Sequence, residues 1–140
     1  MTLDTSNYAF LGTAADGETT NFICEGMPAL AKWSFVTRNV PPEAVSHVEF
    51  RHGHPPRSGD LVLAAVQKIA QHTRIQLRSG RRSLLYPGDH VFVAFGNRYA
   101  PDAFEALVPE DLDQCHLVAA GGIAATARSK SAGLKWPTSI

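Results

Sequence analysis

Apolar stretches in this chain are short, and each is cut off by a turn residue. "DLVLAAVQKIA", "TRIQL" and "HVFVAF" lie among Gly59, Gly80, Pro87-Gly88 and Gly96. Turn signals that recur roughly every 8 to 12 residues leave room for strands, but not for helices of ordinary length. No segment carries a helical period of convincing length. The pattern therefore predicts an all-β fold, a small barrel of OB-like, SH3-like or cradle-loop type with few or no long helices. At 140 residues, 44% of them apolar, the chain has the size of one domain and the material for a core.

Residues 1–20 are polar and read as an arm. The barrel is expected over 21–127, and the basic tail "RSKSAGLKWPTSI" over 128–140 reads as an exposed end or linker. "TNFICEG" suits a short strand closed by Gly26 and Pro28. "LAKWSFVTRNV" alternates, with Trp33, Phe35 and Thr37 opposite Ser34, Val36 and Arg38, and predicts a strand that stops at Pro41-Pro42. "EAVSHVEF" fits strand or helix, strand suiting its neighbours, and "RHGHPPRSG" is a loop. "TRIQLRSGRRSLLYPGD" is the clearest hairpin. Ile75 and Leu77 point one way, Arg74, Gln76 and Arg78 the other, and Ser79-Gly80 supplies the turn. "PDAFEALV" is ambiguous: Pro101 can open a helical turn, yet Phe104, Ala106 and Val108 alternate. Gly59-Asp60-x-Val62-x-x-Ala65 recurs as Gly88-Asp89-x-Val91-x-x-Ala94, 29 residues on. The recurrence marks either a pseudo-symmetric barrel or one turn chemistry used twice.

The 13 basic and 13 acidic residues cancel, so no global field draws nucleic acid or a membrane surface. The charges are nonetheless segregated. Lys68, Arg74, Arg78, Arg81 and Arg82 stand between Asp60 and Asp89 without an acid among them. Asp102, Glu105, Glu110, Asp111 and Asp113 stand between Arg98 and Arg128 without a base. Either the two segments neutralise each other or the basic one meets an anion. Two cysteines, Cys24 and Cys115, are too few for a disulfide framework and fit buried thiols in a reducing compartment. No apolar run follows Met1 as in a signal peptide, and the longest uncharged stretch, Gln114 to Ala127, is too short to span a bilayer. A cytoplasmic protein is expected.

The commonest catalytic signatures are missing: no phosphate loop, dinucleotide fingerprint, nucleophile elbow or zinc-protease motif occurs. His52-Gly53-His54 lacks a third ligand nearby other than Glu49, so no metal is assigned, and no cofactor is expected. Cys115 and His116, adjacent on a strand, should face opposite sides and not meet. His72 reads as an exposed polar residue at the start of the hairpin. Guanidinium groups spaced as Arg74, Arg78, Arg81 and Arg82 are suit phosphate or carboxylate. Stacking aromatics are sparse there, Tyr86 and Tyr99 only, which disfavours nucleic acid. The densest cluster is "GNRYAPDAFE". Gly96 and Asn97 can take positive φ, Arg98 and Tyr99 offer donors and a ring, and Asp102 and Glu105 supply carboxylates. The cluster is either a site or a self-satisfied barrel corner.

The ligand-binding candidates are thus Arg74, Arg82, Gly96, Asn97, Arg98 and Tyr99, with Gly121 and Gly122, and the catalytic candidates are Asp102 and Glu105. One function is a non-catalytic barrel that binds a small anionic ligand or a partner protein, with a homo-oligomer as one form it can take. The other is a small biosynthetic enzyme with Asp102 or Glu105 as general base and Arg98 as electrostatic stabiliser.

Residues 57 to 138, above all "GNRYAPD-x-FEA" and "LVAAGGIA", resemble an N-terminal module of uncharacterised bacterial proteins. In those proteins the resemblance implies a small β domain ahead of a phosphate-loop nucleotide-binding domain. The present sequence stops where that second domain would begin, so no NTPase function is carried over and a stand-alone barrel is expected.

Overall fold

The computed structural model describes the backbone of Ala9–Phe10 and residues 31–41, 55–100, 102–110 and 114–140. The expected arm, "TNFICEG" with Cys24, "EAVSHVEF", the His52/His54 pair, Pro101, Asp111 and Asp113 lie outside the described residues. The strands are β1 (Ala9–Phe10), β2 (Lys32–Trp33), β3 (Leu61–Ala65), β4 (Arg74–Gln76), β5 (Arg82–Leu84) and β6 (His90–Phe95). They continue as β7 (Arg98–Tyr99), β8 (Phe104–Leu107), β9 (His116–Ala119), β10 (Ile123–Lys130) and β11 (Thr138–Ser139). Among the described residues the helical content is one 3₁₀ turn, Phe35–Thr37. The fold is all-β and barrel-like, as the turn spacing predicts.

β6 is the centre of the sheet. β3 runs antiparallel along one edge, and the other edge takes β2 and then β10, both parallel. β10 also carries β9 and β8, and β8 carries the short β7. β9 pairs with β11, and Ser139 of β11 bridges to Lys68, just past β3. Gln67 N donates to Ser139 O at 2.9 Å and Ser139 N to Lys68 O at 3.0 Å. The sheet thus curls until its last strand meets the continuation of β3. Inside lie Val62, Val66, Ile75, Val91, Val93, Phe95, Leu117 and Ile140. Each such side chain contributes about 1.5–3 kcal/mol by leaving water. β8 alternates, Phe104 and Ala106 buried against Val118 and Ala125 and Glu105 and Leu107 outward, which resolves "PDAFEALV" as a strand.

The 29-residue recurrence coincides with the symmetry of a strand pair. β3 and β6 pair so that Leu63 faces Phe92, themselves 29 residues apart, and a local two-fold axis passes through that pair. Each strand is entered by the same turn. Gly59 and Gly88 sit at φ 92° and 91°. Asp60 N donates to Arg57 O and Asp89 N to Tyr86 O, both at 3.0 Å. The aspartate Oδ2 in turn accepts from the Arg57 amide at 2.8 Å and from the Tyr86 amide at 2.9 Å. Each glycine then anchors on the far end of the opposite strand, Gly59 N on Phe95 O at 2.7 Å and Gly88 N on Val66 O at 2.8 Å. Repeated turn chemistry and local pseudo-symmetry are here one thing.

Two expectations change. "LAKWSFVTRNV" is a strand only at Lys32–Trp33, because Thr37 folds the chain back: its amide and Oγ1 both donate to Ser34 O, at 3.1 and 2.7 Å. A hydroxyl bonding locally to the backbone competes with a ladder and wins. The segment 128–140 is not a free tail. β10 runs to Lys130, Pro137 and Thr138 are buried, and Ile140 lies in the core, exchanging backbone hydrogen bonds with Cys115. Its basic composition reports only the outward side chains.

Candidate functional site

"GNRYAPDAFE" forms the β7–β8 hairpin, with Arg98 opposite Ala106 and Tyr99 opposite Glu105. Ala100 N donates to Phe104 O at 3.1 Å and Ala103 N to Ala100 O at 2.9 Å, closing the turn. Neither Gly96 nor Asn97 takes positive φ. Asn97 instead accepts the Val108 amide on Oδ1 at 2.8 Å. Arg98 donates to Val118 O. Val118 is the extra residue of a bulge, since Ala119 faces Ile123 while Leu117 faces Ala124, and a bulge leaves a backbone group for another partner. Tyr99 is 75% exposed. Asp102 and Glu105 are exposed, with Glu105 Oε2 accepting from Ser129 Oγ at 3.3 Å. Much of the cluster's polarity therefore goes to holding the corner.

Arg74 and Arg82 lie on a separate two-stranded sheet, β4–β5. The register sets Arg74 opposite Leu84 and Gln76 opposite Arg82, so both arginines are exposed on one face while Ile75 is buried on the other. Gly80 makes the turn at φ 87°, as Ser79-Gly80 predicts. Arg78 does not share the strand face of Arg74. The chain leaves β4 at Leu77, which bridges to Ser34, and Arg78 turns to Trp33. Its guanidinium sits 4.9 Å from the Trp33 ring centroid, its amide donates to Trp33 O at 3.2 Å, and Nη2 donates to Arg38 O at 2.9 Å.

This contact borders an open cleft of about 510 Å³ lined by Ala31, Lys32, Trp33, Leu77, Arg78 and Ser79. Trp33 packs from behind on Phe92 at 4.5 Å. Lys32 Nζ donates to Asp89 Oδ2 at 2.7 Å and to Leu84 O at 2.5 Å, with the Tyr86 ring 5.7 Å away. Burial pushes the Asp89 carboxyl up, but hydrogen bonds from Lys32 and the Tyr86 amide, with the Lys32 charge, hold it below the ordinary carboxylate range. Gly121 and Gly122 form the β9–β10 turn. Gly121 O accepts Val36 N at 3.0 Å, and Gly122, at φ 106°, lies so close that a Cβ would stand 2.2 Å from Ser34. Ser34 Oγ is buried without a hydrogen-bond partner.

His72 is half-buried, not an exposed strand start, and its Nδ1 lies 3.0 Å from Leu117 O. Burial pushes it below the ordinary imidazole value; the Leu117 carbonyl pulls it up and the Arg98 charge pushes it down. His116 accepts the Ala127 amide on Nδ1 at 3.1 Å, and burial pushes it down as well. Cys115 is buried in the core. Among the described residues no group of three or more His, Cys, Asp or Glu could hold a metal, and no helix is long and apolar enough to cross a membrane.

Lys32 and Trp33 were not among the sequence candidates. The cleft joins residues 31–33 to 77–79, so no local motif announces it, and Trp33 reads from sequence only as one face of a strand. No family model, curated protein or solved structure matches the chain.

Proposed function

We propose that this barrel binds a small ligand with a flat apolar body and an anionic group, held in the Trp33–Arg78 cleft. The observation that carries this reading is a cationic side chain over an indole at the edge of an open, largely apolar cleft of ligand size. Arg78 hydrogen-bonds a carbonyl, and among the described residues no carboxylate pairs with it. Among the described residues its charge is thus unmatched, which supports an anion as its partner, and Trp33 and Leu77 line the cleft with apolar atoms. The exposed Arg74 and Arg82 on the neighbouring hairpin add to the local positive field. Catalysis through Asp102 or Glu105 has less support. A general base needs a partly desolvated place, and both carboxylates are exposed on the β7–β8 hairpin.

The test is a thermal-shift and fluorescence screen of aromatic carboxylates and aromatic phosphates on a Trp136→Phe background, where Trp33 is the remaining indole. A binder should quench Trp33, and Arg78→Gln should weaken it about tenfold or more, the loss of one charge-assisted contact. Binding that survives both Arg78→Gln and Trp33→Leu places the ligand elsewhere.

A further inference from the structure

Away from the cleft, β9 carries two basic side chains on successive carbonyls. His72 reaches Leu117 O through Nδ1, and Arg98 reaches the bulged Val118 O. A carbonyl only accepts, so Nδ1 of His72 carries the proton and Nε2 is the nitrogen left to titrate. Arg98 uses one of its five N–H donors on Val118, and among the described residues no carboxylate pairs with it. Glu105 is turned to Ser129, and Asp102 is exposed at the hairpin turn. The elements packed on His72 present the Phe104 ring, 5.9 Å away on β8, and Thr138 of β11, whose hydroxyl donates to His72 O at 2.6 Å. Neither titrates near neutrality. Among the described residues Arg98 is the charged group whose field reaches the imidazole. Both side chains are half-buried and keep part of their surface open to solvent.

Two basic groups near each other, with no carboxylate paired to Arg98 among the described residues, disfavour each other's charged forms, and an oxyanion between them reverses the sign of that interaction. We propose that Arg98 and His72 form a site for a small oxyanion, separate from the Trp33–Arg78 cleft, in which His72 takes up a proton as the anion binds. Linkage makes the effect reciprocal: the anion raises the proton affinity of His72 by the factor by which the proton raises anion affinity.

Sulfate is the probe, because its charge stays constant across the histidine range. Histidine ring resonances are followed by NMR through a pH titration in sulfate and in chloride at equal ionic strength, with His72 assigned through His72→Gln. Sulfate should move the His72 midpoint upward and leave His116 in place. Its affinity should rise on the order of tenfold from about pH 8 to about pH 5.5. His72→Gln should bind sulfate with that pH dependence removed. An unchanged His72 midpoint in the wild-type protein, or an equal shift of His116, overturns the proposal.

Discussion

The Gly59-Asp60 and Gly88-Asp89 turns share their backbone path, their aspartate-to-amide bond and their anchor on the opposite strand. Among the described residues they differ in one partner. Asp89 also holds Lys32, and Lys32 lines the cleft. One turn thus holds the barrel together, while its twin joins the barrel to the candidate binding surface. Local sequence specifies the geometry of such a turn, but its charge environment comes from a residue more than 50 positions away.

The sharpest way to break this comparison uses Gly122 as a third glycine. Gly59 and Gly88 have open space where a Cβ would stand, whereas a Cβ on Gly122 would meet Ser34 at 2.2 Å. Gly122→Ala should therefore cost about 3 kcal/mol or more, strain and overpacking together, against about 1–2 kcal/mol for Gly59→Ala or Gly88→Ala from positive φ alone. Urea midpoints of the three variants measure this. A Gly88→Ala loss as large as that of Gly122→Ala would mean the turn is held by more than backbone conformation.

The aspartates come next. Asp60→Ala loses the bond to the Arg57 amide, about 1 kcal/mol. Asp89→Ala loses the equivalent bond and also leaves Lys32 without its counter-charge, about 2 kcal/mol, discounted because the pair is a quarter exposed. Equal losses in a denaturant series would show that Lys32 adds nothing to its turn.

The smallest effect is in acid. The Asp89 value is depressed on folding, so its stabilisation is fully present above the ordinary carboxylate value of 3.8 and is lost as pH falls through the lowered one. The gap between wild type and Asp89→Asn should narrow there by under about 1 kcal/mol. The depressed histidines carry the same sign at higher pH. Stability should begin to fall below about 6.5, where the unfolded chain takes up a proton that folded His116, half-buried and accepting the Ala127 amide on Nδ1, resists. A flat stability profile from pH 7 to about pH 5 would contradict it.

Features with local causes were legible in the sequence. Ser79-Gly80 announced its hairpin and the Gly-Asp pairs their turns, while Phe104 and Ala106 alternated in a segment whose Pro101 also allowed a helical turn. Other features depend on distant partners. Nothing in "LKWPTSI" says that Ile140 enters the core, because the segment that receives it, at Cys115 just before β9, is specified elsewhere. Nothing near Arg78 says that it leaves its strand for Trp33. Arg98 stood out for its chemistry, but the bulge carbonyl that engages it belongs to Val118, 20 residues on.

The bridge from Ser139 to Lys68 has a consequence for the order of folding. It joins segments roughly 70 residues apart, and such long-range pairings are slow because the loop entropy is lost before the contacts form. During synthesis the β3–β6 pair can assemble while β11 is still inside the ribosome. The ring can shut only after the last strand emerges. Until then β9 exposes the edge that β11 will occupy, an edge open to a chaperone or to pairing with another copy.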